Sequence, residues 1–217
     1  VVSSTDAVER IIPAMGRSLV VGITVALINV VFGGLAGYAF SRFPFRGASL
    51  AYFLLIASRV VPGLAIILPF FIVFRQIGLL DTMTGLMIAY VAFTLPISVW
   101  VLKTYFDTVP IEIEEAATID GAGRLRTLAV IVAPLAKPGL IAAGLLAFLE
   151  AWSEFFFALV LTDSLTAPPV VASLQSLQQF SWTTLAAATV VAVLPPVVIA
   201  IAFQRYIVSG LASGSVK

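Results

Sequence analysis

The sequence predicts an all-α, polytopic helical membrane protein, and three observations support this fold class. Of the 217 residues, 61% are hydrophobic and only 11% are charged, whereas a soluble domain is about 45–50% apolar and about 25% charged. Five apolar stretches are each about 20 residues long, which is the length that a helix needs to cross the hydrocarbon core of a bilayer. Alternation of apolar and polar residues at period two is absent, so a membrane β-barrel is not favoured.

The five predicted spans differ in how many charges they contain. The first, third and fifth are uncharged, the second is interrupted only by Arg59, and the fourth carries Glu150 and Glu154. In chain order, the predicted spans cover residues 19–40, 50–74, 82–102, 139–161 and 185–203.

The distribution of basic residues predicts the orientation in the membrane, because Lys and Arg are retained on the cytoplasmic side. The segments after the first, third and fifth spans hold eight basic residues, and the opposite side holds three. This asymmetry places the C-terminus in the cytoplasm. With five spans, Val1 would then lie outside, so we expect one further span before it.

Composition also excludes several functions. The chain has no Cys and no His, which removes thiol nucleophiles, the usual zinc ligands and imidazole acid–base chemistry, so a membrane-embedded enzyme has little to work with. The formal net charge is only +1, so the chain has no strong positive potential that would attract nucleic acid, and nucleic-acid binding is not favoured. The Gly-x4-Gly-Lys-Ser/Thr pattern of a phosphate-binding loop is missing from the sequence, so we expect no ATP hydrolysis by this chain.

The cytoplasmic segment 107–138 is the strongest functional lead within what is otherwise a single transmembrane domain over residues 1–217. Pro110 is suited to a first helical turn, and the acidic residues after it oppose the positive end of the helix dipole. The helix should end near Gly121, where glycine permits positive φ, and a second should run from Leu125 to Pro134. The pattern predicts a helix–turn–helix at the membrane surface that docks a partner.

The residues of this segment resemble the EAA loop of the membrane subunits of ABC importers. The match consists of Glu115-Ala116-Ala117, then Gly121, and then Pro134, with Ala133 where that loop usually has Leu. The extension over Glu114 and Asp120 is similar to the carbohydrate-uptake branch, of the maltose-permease type. Further family-like segments lie along most of the chain, including 151–155, in which Ser153 replaces the usual Asn.

The resemblance implies a half-channel with six spans and several partners. These are a homologous second permease subunit, two ATPase subunits, an extracytoplasmic sugar-binding protein and the lipid bilayer of a prokaryotic cytoplasmic membrane. The chain itself would bind no cofactor, and ATP and Mg²⁺ would be bound by the ATPase subunits. The resemblance further implies that the EAA helix inserts into a cleft of the ATPase, so that Glu115, Ala117 and Gly121 transmit nucleotide-driven closure to the spans.

Candidate substrate-pathway residues lie within the spans, where charged groups usually face protein or water. Glu154 stands beside Trp152 and Phe155, and aromatic faces with a carboxylate suit the C–H faces and hydroxyls of a sugar. Arg59 precedes a Pro-Gly pair, and it either lines a cavity or extends to the membrane face.

Two alternatives stay open from the residues alone. Glu150 and Glu154 share a helix face, so they either relay protons in a secondary transporter or make structural hydrogen bonds. Within the ABC class, the solute is either a sugar or another compound such as glycerol phosphate or a polyamine, although a phosphorylated solute would call for more cationic groups in the spans than Arg59.

Overall fold

The fold was analysed in a computed structural model that describes residues 4–174 and 182–212, and within these ranges the chain forms helices and no strands. The elements in chain order are α1 (Ser4–Arg42), α2 (Ala48–Ala57) with a 3₁₀ turn (Ser58–Val60), α3 (Gly63–Gln76), α4 (Met83–Asp107), α5 (Ile111–Ile119), α6 (Arg124–Thr127), a π-helical turn (Leu128–Val132), α7 (Ala133–Leu135), α8 (Lys137–Ser153), α9 (Phe156–Leu161), α10 (Ala167–Ser173) and α11 (Trp182–Ala212). The all-α prediction is confirmed.

In the part of the chain that the structure describes, three helices are long and apolar enough to cross a membrane, and they correspond to the predicted first, third and fifth spans. Their spanning segments are Glu9–Arg42, Met83–Asp107 and Trp182–Gln204. Two bent helix pairs raise the number of candidate spans to five if each pair counts as one: Ala48–Val60 with Gly63–Gln76, and Arg124–Leu135 with Lys137–Ser153.

The predicted second span is not one helix, because the chain bends by 99° between Val60 and Gly63. Pro62 stands in an extended conformation, with φ −58° and ψ 132°, immediately before α3. Proline has no N–H to continue the preceding helix and disfavours helical geometry at the residue before it. The break therefore lies at the Pro-Gly pair that the sequence singled out.

The predicted fourth span is also interrupted, and Glu154 explains the interruption. Helix α8 ends at Ser153, and α9 begins at Phe156. The Glu154 carboxylate accepts hydrogen bonds from the backbone N–H groups of Phe157 at 3.0 Å and Ala158 at 3.2 Å. A side chain that satisfies the free N–H groups of a first turn starts a new helix, so the apolar run to Leu161 is not a single helix.

The chain forms two compact units, each with its own core. The first comprises Val1–Val25, Val61–Phe93 and Phe148–Ile201, and the second comprises Ala26–Val60, Thr94–Ala147 and Ala202–Lys217. In the first unit, Phe157 is central, since its ring meets those of Phe70 and Tyr90 edge-on. In the second, buried Phe106 and Val132 belong to one cluster that also includes the following residues: Tyr38, Leu102, Tyr105, Val109, Leu128, Ala136 and Ala143.

Small residues let α1 approach α4 closely within the second unit. A Cβ placed at Gly37 would lie 2.9 Å from the backbone nitrogen of Lys103, and one at Gly33 would lie 3.1 Å from the Ser98 Cβ. The side-chain nitrogen of Asn29 donates to the Thr94 hydroxyl at 2.8 Å on the same two helices. Close backbone approach and interhelical polar contacts of this kind replace the hydrophobic driving force that helices lack in lipid.

Replacing Gly37 by Ala tests this close approach. We expect Gly37→Ala to lower the midpoint of thermal unfolding in detergent, since overpacking against a backbone atom that cannot rotate away costs about 1–3 kcal/mol. Gly34→Ala on the same helix is the matched control, because none of the described atoms outside its own helix lies within 4 Å of a Cβ there. Equal midpoints for the two variants would contradict the α1–α4 packing.

Candidate functional site: the helix after Pro110

Helix α5 begins and ends where the sequence predicted. Pro110 is its N-cap, and Glu112 and Glu114 stand in its first turn, where negative charge interacts favourably with the helix dipole. At its end, Gly121 adopts φ +80°, a left-handed conformation that glycine adopts at little cost. The N–H of Ala122 then donates to the Ala117 carbonyl at 2.9 Å, which satisfies a carbonyl at the helix end.

The second half of the predicted helix–turn–helix is present but is not a regular α-helix. One turn of α6 is followed by the π-helical turn Leu128–Val132 and by α7, which contains the exposed Pro134. Because a π turn holds an extra residue, the apolar residues of this segment do not share one face as they would in a regular α-helix. Leu128 and Val132 are buried, whereas Leu125 is 72% exposed.

Of the two adjacent glutamates of α5, one is buried and the other is exposed. Glu114 is only 2% exposed and Ala117 is 5% exposed, so both pack inward. Glu115, Ala116 and Asp120 are exposed, as is Gly121 beyond the helix. The predicted coupling residues therefore divide into an inner pair and an outer, acidic face that is accessible in this chain.

The inner face of α5 is attached to the rest of the second unit through Arg42, at the end of α1. The Arg42 Nε donates to Glu114 Oε1 at 2.6 Å, and the Tyr38 hydroxyl donates to Glu114 Oε2 at 2.6 Å. The Arg42 Nη2 donates to the backbone carbonyls of Phe106 and Val109, each at 2.7 Å. We call this set of contacts the Arg42 junction.

The end of α4 carries a second, exposed polar cluster beside the Arg42 junction. Lys103 pairs with Asp107 at 2.7 Å, and the Ser41 hydroxyl donates to the same carboxylate at 2.6 Å. Arg42 Nη1 donates to the Ser41 hydroxyl at 2.9 Å. The roles of Tyr38 and Arg42 were not among those predicted from the sequence. The available signal was a Tyr and an Arg four residues apart, and therefore on one face, at the end of the first span.

The candidate substrate-pathway residues Trp152, Glu154 and Phe155 lie together in the first unit. Besides capping α9, Glu154 accepts a hydrogen bond from the Tyr90 hydroxyl at 2.9 Å. The Trp152 indole is 5% exposed, and its Nε1 donates to the Ala192 carbonyl at 3.3 Å. Phe155 is half-buried and contacts Phe156 edge-on. Arg59 is half-buried in the 3₁₀ turn and belongs to the second unit.

A cavity of about 540 Å³ lies beside Trp152 in the first unit. Three polar side chains in its wall, Trp152, Ser153 and Thr189, each donate to a backbone carbonyl. The remaining wall is apolar: Leu149, Ala167, Pro168, Val171, Ala172, Ala192, Val193 and Pro196. The hydrogen bonds of Glu154 and Trp152 to Tyr90, α9 and Ala192 give both residues a structural role. Their role in a substrate pathway stays a prediction.

Comparison with known proteins places the chain among transport permeases. Residues 29–213 match the family described as "Binding-protein-dependent transport system inner membrane component". The chain is 37% identical over 205 residues to the trehalose/maltose transport system permease protein MalG of Thermococcus litoralis, covering 93% of this chain and 74% of that protein. It is 38% identical over 207 residues to the maltodextrin transport system permease protein MdxG of Bacillus subtilis, with the same coverage of 93% and 74%.

Solved structures agree with the sequence comparisons. A chain of a bacterial ABC transporter involved in the import of the acidic polysaccharide alginate matches with a TM-score of 0.72 and 26% identity, over 91% of this chain and 75% of that chain. The methionine ABC transporter MetNI shares the fold at 14% identity, with a TM-score of 0.68 over 94% of this chain and 95% of that chain. The chain therefore belongs to the family of inner membrane components of binding-protein-dependent transport systems, and it works with other subunits of an ABC importer.

Proposed function

We propose that this chain is the membrane-spanning permease subunit of an ATP-driven importer that moves a sugar by alternating access. Sugar is the solute class that the names of the relatives support, since one is a trehalose/maltose permease and another a maltodextrin permease. The similarity extends over 93% of this chain in both cases, so it includes the spans as well as α5.

The importer is assembled from this chain, a homologous second permease subunit, two ATPase subunits and an extracytoplasmic sugar-binding protein. ATP and Mg²⁺ are bound by the ATPase subunits, and this chain binds no cofactor. Its C-terminus lies in the cytoplasm, as the excess of Lys and Arg after the first, third and fifth spans supports. The same orientation places α5 on the side where ATP is available.

The observation that carries the proposal is the two-sided arrangement of α5. Its inner face is attached to α1 and α4 by the Arg42 junction, while its outer face presents Glu115 and Asp120 to solvent. A helix with this geometry can receive a partner on one side and pass a displacement to the membrane on the other. ATP binding would draw the docked helices together and hydrolysis would release them, which shifts the spans between two states.

Gly121 provides the first test, since the end of the docking helix depends on its positive φ. Gly121→Val places a β-branched residue at φ +80°, which costs about 1–2 kcal/mol. A cost of this size lowers the population of the docking geometry by about tenfold. We expect a loss of similar size in binding-protein-stimulated ATPase activity of the assembled complex.

Gly123→Val is the matched control for this test. Gly123 has φ −72° and ψ 158°, an extended conformation that valine readily adopts. As at Gly121, a Cβ at Gly123 would meet no atom within 4 Å in the part of the chain that the structure describes. We expect near-normal activity for this variant, and equal activity of the two variants would show that the conformation at Gly121 is unimportant for coupling.

The solute class is tested with the reconstituted complex and its binding protein. We expect trehalose, maltose or maltodextrin to stimulate ATP hydrolysis and to be taken up by proteoliposomes, with uptake that depends on ATP and resists an uncoupler. Glycerol phosphate and a polyamine are the comparison solutes. Stimulation by either of these in place of the sugars would overturn the sugar assignment. Uptake that an uncoupler abolishes and ATP does not affect would indicate a proton-driven transporter instead.

A further inference from the structure

The Arg42 guanidinium joins three segments that are separate in the sequence. Arg42 is the last residue of α1, Phe106 and Val109 flank the end of α4, and Glu114 lies in α5. Four of the five N–H donors of a guanidinium are accounted for by Glu114, the Ser41 hydroxyl and the two backbone carbonyls. A point charge such as a Lys ammonium could not make this planar, divergent set of bonds.

One of the two carbonyls that Arg42 binds, that of Phe106, is among the last of α4 and also accepts a hydrogen bond from the Val109 N–H at 3.1 Å. The other, that of Val109, lies two residues beyond the end of the helix. The last carbonyls of any helix lack intrahelical donors, and a basic group there also interacts favourably with the helix dipole. In α4 this cap comes from α1, because Arg42 Nη2 lies 2.7 Å from both the Phe106 and the Val109 oxygens. The end of α4 is therefore fastened to the end of α1 by a charge-assisted contact.

Burial makes the junction costly to open. The side chains of Arg42 and Glu114 are 7% and 3% exposed, and the Tyr38 ring that bonds Glu114 packs edge-on against Phe106 and Phe43. Separating a buried ion pair leaves two charges without a counterion in a poorly solvated site, a strongly unfavourable state. The exposed Lys103–Asp107 pair nearby has no such constraint, because water can replace either partner.

From these contacts we propose that Arg42 is a positioning residue that makes α5, the part of α1 that belongs to the second unit and the adjoining end of α4 move as one body when the ATPase displaces α5. The inference rests on the proposed function, since it assigns the route by which a displacement of the docking helix enters the spans. The apolar contacts of Leu128 and Val132 with the same core can slide, whereas the Arg42 junction fixes both orientation and distance.

Distance measurements between spin labels on α1 and α5 test the inference directly. The chain has no cysteine, so labels can be placed at Leu27→Cys in α1 and at Glu112→Cys in α5, both exposed positions, in a complex whose other subunits are cysteine-free. Leu27 lies about 22 Å along α1 from Arg42 at 1.5 Å per residue. We expect the label distance to stay constant to within about 2 Å between the nucleotide-free and ATP-bound complexes.

The Arg42→Gln and Glu114→Gln variants should lose this constancy. We expect a broadened distance distribution that differs between the two nucleotide states, and a fall of about fivefold or more in sugar transported per ATP hydrolysed. The ratio is counted per turnover, so a loss of folded complex alone does not change it. The double variant should show no broader distance distribution, and no lower amount of sugar transported per ATP, than either single variant, since both substitutions remove the same junction.

Milder variants keep the inference testable if the glutamine variants fail to assemble. Arg42→Lys retains the charge but not the fork, and Tyr38→Phe removes one hydrogen bond to Glu114, so both should give intermediate broadening. Arg46→Gln, an exposed arginine four residues further along, is the control and should resemble the wild type. A narrow, unchanged distribution in the Arg42 and Tyr38 variants would overturn the inference, as would a wild-type distance that changes between nucleotide states.

Failure of the proposed function would have a different signature. It would show as a wild-type complex that takes up none of trehalose, maltose or maltodextrin with ATP. The label distances need only ATPase docking and nucleotide, and therefore decide the role of Arg42 without a known solute.

Discussion

The buried ion pair between Arg42 and Glu114 is the contact on which the position of α5 in this permease depends. In a chain with only 12 basic and 11 acidic residues, two of the charges are placed where water is largely excluded. Such a pair contributes little net stability, because the desolvation of both ions offsets most of their attraction. It does fix geometry, since a buried charge left without its partner is strongly unfavourable, and removing one partner of such a pair costs about 3–5 kcal/mol. The junction is thus better explained by positional specificity than by stability.

The position of α5 follows from this constraint. Pro110 starts the helix, Gly121 ends it, and Glu114 in its first turn fixes which face turns toward α1 and α4. Glu115 is then directed outward by the geometry of a helix, since neighbouring residues are about 100° apart around its axis. The face of α5 that the proposed function assigns to a partner is therefore determined by the face that Arg42 holds.

Much of the fold was predictable because its signals are local. Long uncharged stretches specify spans, and Pro110 and Gly121 specify the ends of α5 through the backbone conformations that these residues allow. The breaks within the second and fourth predicted spans were harder to predict. Hydropathy does not register a 99° bend at Pro62, nor a carboxylate that satisfies the first N–H groups of a new helix. The π-helical turn after α6 left no signal that we can identify in the sequence.

The sequence identified which residues belong to the candidate site, but it did not predict which of them are buried and which are exposed. The residues of α5 were identified from their spacing, but a pattern of this kind assigns all of them to one docking role, whereas tertiary contacts separate Glu114 from Glu115. The partner of Glu114 lies 72 residues earlier in the chain, and such a pairing cannot be derived from local periodicity. Glu154 shows the same limit, since its bonds to Tyr90 and to the start of α9 are specified by the fold.

The different environments of Glu114 and Glu115, one buried and one exposed, also bear on how this surface can change over generations. A substitution at Glu114 can be compensated only within the same polypeptide, at Arg42 or Tyr38, so these positions are inherited together in one gene. A substitution at Glu115 alters the outer face, which under the proposed function meets a different gene product, so its compensation would have to arise in that product. If α5 docks a partner as proposed, these two adjacent glutamates are subject to separate selection: Glu114 for the integrity of this subunit, and Glu115 for the choice of the partner.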